Sequence, residues 1–171
     1  WLPGEAIFQF LPVGIVWSVS RKMGTSQILG IVLGICLVSP QLLNAYLVAG
    51  TPQSEIAKNW VWDFGFFTVQ RIGYQAQVIP ALLAGLSLSY LEIFWRKRIP
   101  EVVSMIFVPF LSLLPAIILA HTVLGPIGWT LGQWLSTIVL AGLTGPVKWL
   151  FGAVFGALYA PFVITGLHHM T

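Results

Sequence analysis

Two adjacent histidines, His168 and His169, are the residues of this sequence best suited to proton transfer. They stand in "GLHHMT", at the end of an apolar run that begins at Trp149. A neutral imidazole can donate or accept a hydrogen bond, and it can help to remove the proton of a hydroxyl nucleophile. If the helix breaks at Gly166, one of the two rings can face a cavity. The alternative is a cytoplasmic turn that happens to contain histidines.

The histidine pair does not predict a metal site. Adjacent residues on a helix point about 100° apart, whereas two histidines that bind one metal from a helix stand four positions apart. No cysteine or carboxylate lies close to His168 in sequence to complete a ligand set. The third histidine, His121, stands near Gly125 and Pro126, and we interpret it as a structural residue at the membrane interface.

A second polar group, Arg71, Tyr74 and Gln75, opens the stretch "RIGYQAQVIPALL". An unpaired arginine in the middle of a membrane costs roughly 2.5–3.5 kcal/mol. Arg71 therefore either extends to the outer interface or faces a wet cavity near an acid such as Asp63. Phenol and amide groups offer donors and acceptors that suit sugar hydroxyls, which favours the cavity. An amide such as Gln77 could equally bridge two helices.

Long uncharged runs indicate what positions these side chains. The chain is 57% hydrophobic and 8% charged, whereas soluble domains average about 25% charged residues. No Asp, Glu, Lys or Arg lies between Lys22 and Glu55, or between Glu101 and Lys148. Each of these runs exceeds the roughly 20 residues that cross a ~30 Å hydrocarbon layer as a helix. We therefore predict an all-α membrane protein, a polytopic bundle of transmembrane helices with interfacial amphipathic helices.

Two basic clusters, Arg21-Lys22 and Arg96-Lys97-Arg98, end apolar runs. The positive-inside rule assigns such clusters to cytoplasmic turns. Spans predicted over 7–20, 28–49, 78–95 and 102–124 then alternate in direction. Topology thus accounts for the net charge of +3, and no basic stripe predicts a nucleic-acid partner. Cys36, the only cysteine, is interpreted as a small buried hydrophobe.

Two further segments are expected at the membrane surface. Residues 51–71 mix charges with tryptophans, which suits the headgroup level or the mouth of a cavity, and Thr51-Pro52 predicts a helix start. Residues 128–145 predict an amphipathic helix at the interface, although a fifth crossing also fits. The last apolar run covers 149–165. Prolines within the apolar runs favour broken helices around a cavity, as in transporters.

Three blocks of the sequence resemble one family in the family's own order. They are "FLPVGIVWSVSRKMGTSQILGIVLGICLVSPQLL", then "YQAQVIPALLAGLSLSYLEIFWRKRIPEVVSMIFVPFLSLL", then "GPIG" with "FVITGLHHMT". These blocks resemble the membrane-embedded IIC component of bacterial phosphotransferase-system sugar permeases. Within the family, the blocks most resemble the trehalose permeases of the sucrose/β-glucoside/trehalose branch.

The resemblance implies a homodimeric, multi-pass protein of the bacterial inner membrane. It implies that a disaccharide, trehalose in this branch, binds outside and is delivered phosphorylated inside. The phosphoryl donor would be a phosphocysteine on a soluble IIB domain, which IIA, HPr and enzyme I recharge, and no cofactor is implied. The histidine of the "GLH" motif is a sugar-site residue in the family, so His168 has that role here and His169 supports it. To His168 and His169 the predicted sugar-binding set adds Arg71, Tyr74 and Gln75, which were selected above for their polar groups, with aromatic faces such as Trp62.

The family's "GITEP"-type glutamate motif and the IIB "C-x-x-R" loop do not occur in this sequence. The sequence is therefore expected to be part of a longer permease and not to transport sugar alone. Residues 1–127 are expected to form the scaffold and dimerisation helices. Residues 128–147 are expected to be the interfacial connector, and 148–171 the first helix of the sugar-transport part.

Two other functions fit parts of the pattern. A non-transporting membrane scaffold subunit would show no sugar-dependent thermal shift in detergent. An integral-membrane transferase acting on lipid could use His168 or His169 as a base, but it would need an acidic or metal motif facing the solvent. This sequence contains no such motif.

Overall fold

A computed structural model describes residues 2–48, 50–63, 65, 68–145, 149, 152–153 and 156–157 of the chain. Its elements are α1 (Leu2–Gln9), α2 (Leu11–Lys22), α3 (Gln27–Leu37), α4 (Ala45–Val48), α5 (Gln53–Asn59), β1 (Val61–Asp63), β2 (Thr68–Gln70), α6 (Val78–Arg96), α7 (Glu101–Leu119), a π-helical turn (Ala120–Leu124) and α8 (Gly125–Thr144). Helices dominate, which confirms the predicted all-α class.

Two helices in the described part of the chain are long and apolar enough to cross a membrane. They are Val78–Arg96 and the continuous helix Glu101–Gly142. The pair α1 and α2 passes the same test together but is bent by 52°. The spans predicted over 78–95 and 102–124 are therefore confirmed as helices. The bend falls just before Pro12, a residue that has no N–H to continue the helical ladder.

The uninterrupted span predicted over 28–49 is wrong. Helix α3 ends at Leu37 and is 11 residues long. Pro40 disfavours helical backbone at the residue before it, and the following segment pairs with the strand-like stretch 71–74 instead. Tyr74 N–H donates to the Leu37 carbonyl at 2.9 Å, and Leu43 N–H donates to the Arg71 carbonyl at 2.7 Å.

The surface segment 51–71 contains a helix and a β-hairpin. Helix α5 follows Pro52, as the Thr51-Pro52 pair predicted. Strands β1 and β2 pair antiparallel, with Trp62 opposite Val69; the sequence reasoning did not predict these strands. The Asp63 carboxylate accepts a hydrogen bond from Gly65 N–H at 2.8 Å in the turn, where the backbone of Gly65 has φ +81°.

Helices α2, α3, α6 and α7 pack around one core. The buried core residues are Val16, Leu29, Leu33, Leu37, Tyr74, Ala81, Ala84, Leu88, Ala116 and Ala120. Helices α2 and α3 approach each other closely at Gly34, where a Cβ would lie 2.5 Å from the Val13 Cα. Small residues at such crossings let membrane helices pack closely.

The span predicted over 102–124 does not end at Leu124, because the backbone stays helical through Gly125 and Pro126. A π-helical turn over Ala120–Leu124 leads directly into α8. Pro126 directly follows the π-helical turn, where Gly125 N–H pairs with the Ala120 carbonyl five residues back and the regular helical ladder is already interrupted. The helix predicted over 128–145 is confirmed, and its position relative to the membrane stays a prediction.

The chain divides into two compact units, Trp1–Pro126 and Ile127–Thr171. The first unit contains α1 to α7 and the hairpin. In the second unit the described part is mainly the remainder of α8, most of whose large apolar side chains are exposed, Trp134 at 70% among them. The functional assignment of 1–127, 128–147 and 148–171 stays a prediction.

Candidate functional site

Tyr74 connects the loop before α6 to the π-helical turn. Its ring is buried in the core, and its hydroxyl donates to the carbonyl of Ala120. The same carbonyl accepts the N–H of Gly125, five residues further on. Burial raises the pKa of the Tyr74 phenol, so the hydroxyl stays protonated and acts as a donor at physiological pH. Tyr74 is thus fixed at both the ring and the hydroxyl.

His121 lies on the π-helical turn beside Tyr74. The two ring centroids are 5.8 Å apart. The rings of His121 and Trp62 pack edge to face, with 5.5 Å between their centroids. The Nδ1 atom is 3.0 Å from the Ile117 carbonyl, and a carbonyl can only accept, so Nδ1 carries the proton. The Nε2 atom is buried and has no hydrogen-bond partner. In the neutral ring Nε2 is therefore an acceptor with a free lone pair.

Arg71 extends the same group of rings. Its guanidinium carbon lies 5.6 Å from the Trp60 ring centroid and 6.0 Å from that of Trp62, distances that allow cation–π attraction. Its Nη2 donates to the Asn59 carbonyl at 2.9 Å. Of the two alternatives for Arg71, the one with Asp63 as a neighbouring acid finds no ion pair, since the only ion pair in the described part joins two other residues. The tryptophans take the place of the acid.

We call Trp60, Trp62, Arg71, Tyr74 and His121 the aromatic cluster. It brings together two of the predicted sugar-site residues, Arg71 and Tyr74, with Trp62, which was expected to offer an aromatic face. The cluster also contains His121, which the sequence reasoning had treated as interfacial and structural. The available signal was the position of His121 one turn before Gly125-Pro126, a pair that can interrupt a regular helix. The interruption found there is a π-helical turn, and such turns are frequent at functional sites.

Gln75 makes its hydrogen bonds outside the aromatic cluster, although it lines one cavity together with Trp60. Its Oε1 accepts the Ala45 N–H at 3.1 Å, and its Nε2 donates to the Val38 carbonyl at 3.4 Å. It also lines a cavity of about 490 Å³ whose other walls are mostly apolar, with Gln9, Ser39 and Asn44 as polar groups. Gln75 therefore joins the segment after α3 to the loop before α6. His168 and His169 lie outside the described residues.

The sequence comparisons decide the family. The sequence profile described as "Phosphotransferase system, EIIC" matches residues 2–171. This chain belongs to the phosphotransferase-system EIIC family. The family is a membrane domain, in agreement with the apolar helices of the structure. No solved structure matches the chain.

Curated EIIC relatives are similar to nearly the whole chain. The trehalose-specific EIIBC component of Escherichia coli (strain K12) is 51% identical over 171 residues, which is 100% of this chain and 35% of the relative. The sucrose-specific EIIBC component of Vibrio alginolyticus is 40% identical over 96% of this chain and 34% of its own length. The trehalose-specific EIIBC component of Bacillus subtilis (strain 168) is 40% identical over 95% of this chain and 34% of its own length. The chain thus spans about a third of the length of these relatives.

Proposed function

We propose that this chain is part of a sugar permease that moves its substrate across the bacterial inner membrane and couples transport to phosphorylation. The observation that carries the proposal is the 51% identity, over all 171 residues, to a trehalose-specific EIIBC component. The membership of the EIIC family supports the same reaction class. The chain would contribute membrane-embedded residues to a protein-phosphocysteine–sugar phosphotransferase.

Trehalose is the proposed substrate, taken up as trehalose 6-phosphate. Two of the relatives reported above are named for trehalose, and the one with 51% identity is among them. The sucrose-specific relative at 40% makes sucrose the competitor to test. An uncharged disaccharide suits a site built from neutral donors and acceptors and from aromatic faces.

His168 is the proposed base. A hydroxyl of the bound sugar attacks the phosphorus of the IIB phosphocysteine, and an oxygen–phosphorus bond forms as the sulfur–phosphorus bond breaks. The imidazole of His168 accepts the hydroxyl proton, and the cysteine thiolate leaves on IIB. His169 is the proposed supporting residue. IIA and HPr recharge the IIB domain in this proposal.

The aromatic cluster is the proposed sugar-facing wall in the first unit. Trp62 offers a half-buried ring face. The buried His121 ring packs against it, and the buried Tyr74 ring packs against His121, so these two rings support the wall from behind. Arg71 donates to Asn59 with one nitrogen, and its guanidinium has further N–H groups. Gln75 contributes by holding the backbone behind the cluster. Residues 1–127 would serve as the scaffold of a homodimer, 128–147 as the connector and 148–171 as the start of the transport part.

Uptake and phosphorylation of labelled trehalose test the proposal. The protein is expressed in a bacterial strain without its own trehalose permease, and phosphorylated product is measured in membranes supplied with the soluble carriers. We expect His168→Ala to lower phosphorylation by about 10²-fold or more, the range of a lost general base. His169→Ala is the matched comparison, with a smaller expected loss. Retained phosphorylation in His168→Ala would remove this histidine from the mechanism, and preferential uptake of sucrose would overturn the substrate.

A further inference from the structure

Five cations lie at one end of the helix bundle. The turn between α2 and α3 packs on the last turns of α6, because Ser26 N–H donates to both oxygens of Glu92, at 2.9 and 3.2 Å. Thr25 and Ser89 hydroxyls, 3.2 Å apart, join the same two elements. The exposed basic residues of these two turns are Arg21, Lys22, Arg96, Lys97 and Arg98.

Little negative charge opposes these cations. Glu92 is 1% exposed and already engaged by the Ser26 N–H and by Arg96, whose Nη2 lies 2.6 Å from its Oε1. The other acid at this end is the exposed Glu101 at the start of α7. The end therefore carries a net positive field, and the positive-inside rule predicts that it faces the cytoplasmic leaflet.

A pocket opens between three helices at this same end. Its volume is about 230 Å³, and Ser26, Glu92, Arg96 and Ser104 form its polar side. Met105 and Val108 belong to its apolar side. Met105 is 87% exposed, and its neighbours Val102 and Ile106 on α7 are 94% and 74% exposed. The pocket thus lies where the basic end meets an exposed apolar helix face.

We propose that this pocket binds the phosphate of an anionic phospholipid, with the acyl chains along the exposed face of α7. Arg96 contacts Glu92 through one nitrogen, and its side chain is half exposed. The other N–H groups of its guanidinium can donate to a phosphate oxygen. Basic pockets between membrane helices on the cytoplasmic side suit anionic headgroups.

The arrangement of the other cations separates this site from a general charge effect. Arg21 lies over the Trp17 ring at 5.6 Å, and Arg98 lies over the Phe94 ring at 3.7 Å. Neither lines the pocket. Arg96 is the basic residue that does. If the basic residues served only as a topology signal, Arg21, Arg96 and Arg98 would contribute equally to lipid binding.

Native mass spectrometry of the purified protein with added phosphatidylglycerol tests the site, with phosphatidylcholine as the uncharged comparison. We expect selective retention of phosphatidylglycerol. Arg96→Gln should weaken that retention about tenfold or more, since a hydrogen bond to a charged group contributes about 1.5–3 kcal/mol. Arg96→Lys should retain most of it, and Arg21→Gln, the matched control, should change it less than about twofold.

Arg96→Gln also removes the cation beside Glu92, so a second variant keeps that pair. Ser104→Trp fills the pocket without changing any charge, and it should abolish selective retention while the melting temperature stays near that of the parent. Equal losses in Arg96→Gln and Arg21→Gln, or unchanged retention in Ser104→Trp, would overturn the proposal. Displacement of the lipid by millimolar glycerol phosphate would overturn it too, because the ligand would then be a free phosphate.

Discussion

The Tyr74 hydroxyl donates a hydrogen bond to the Ala120 carbonyl. In the π-helical turn this carbonyl accepts the N–H five residues later instead of four. We predict that Tyr74→Phe lowers the free energy of unfolding by about 1 kcal/mol, the usual net contribution of a hydrogen bond. The ring and its contact with His121 should remain, because the two side chains differ only by the hydroxyl. Thermal unfolding of the purified protein in detergent measures the change.

Tyr90→Phe is the control for that prediction. Tyr90 lies on α6 but is 64% exposed, so its hydroxyl should contribute little to stability. If Tyr74→Phe melts together with Tyr90→Phe, the contact with Ala120 does not stabilise the turn.

Side-chain partners were the least predictable feature at this scale. The cost of burying a charge correctly indicated that Arg71 needs compensation, but spacing could not say which group supplies it. An acid eight positions earlier was the simple expectation, whereas the hairpin brings Trp62 next to Arg71 and commits Asp63 to the turn. The stretch "WVWD" followed by "TVQR" contained a period-two signal, and an interpretation as strands would have paired Trp62 with Val69.

Helices α2 and α3 each contain a glycine, and the two form a matched pair for testing helix packing. Gly34 of α3 would place a Cβ 2.5 Å from the Val13 Cα, whereas a Cβ at Gly14 meets nothing within 4 Å. We predict that Gly34→Ala destabilises the protein by about 1–3 kcal/mol, because backbone must move to admit the methyl group. Gly14→Ala should stabilise it by roughly 0.5–1 kcal/mol, since glycine within a helix is entropically unfavourable.

Melting temperatures of the two glycine variants and the parent, in the same detergent, decide this prediction. Equal shifts in both variants would mean that α2 and α3 do not pack as closely as the structure indicates.

Element lengths were predictable where the apolar run ends on charges. Helix α6 ends at Arg96, within one residue of the prediction, because the basic cluster stops the run. Helix α3 was predicted too long because hydropathy cannot distinguish a helix from an apolar loop that satisfies its backbone elsewhere. Ser39-Pro40 was the local signal, and the hydrogen bond that Leu43 N–H donates to the Arg71 carbonyl supplies the tertiary reason.

At the scale of the whole molecule, Glu92 connects the two basic turns. It is buried, and it accepts two hydrogen bonds from Ser26 N–H and pairs with Arg96. We predict that Glu92→Gln destabilises the protein by about 1–3 kcal/mol, because an amide has only one acceptor oxygen and loses the charge that both partners address. Urea or thermal unfolding measures the loss.

The control for Glu92→Gln is Glu101→Gln on the exposed start of α7. It removes the same charge from the same end of the bundle but should leave stability nearly unchanged. If both variants lose the same stability, net charge and not the buried network is responsible.

The orientation of the bundle follows from α6 and the turns at its two ends. Helix α6 has 19 residues and is about 28 Å long, close to the ~30 Å hydrocarbon thickness. The hairpin precedes the first residue of α6 and the basic turn follows its last, so the two should be on opposite sides of the membrane.

Cysteine labelling tests this orientation. Cys36, the only cysteine of the chain, is replaced by serine, and a single cysteine is introduced as Thr68→Cys or Lys97→Cys. A membrane-impermeant maleimide on intact cells should label Thr68→Cys, and Lys97→Cys only after permeabilisation. Labelling of both from one side would contradict a crossing by α6, and the reverse pattern would invert the topology on which the anionic-lipid site depends.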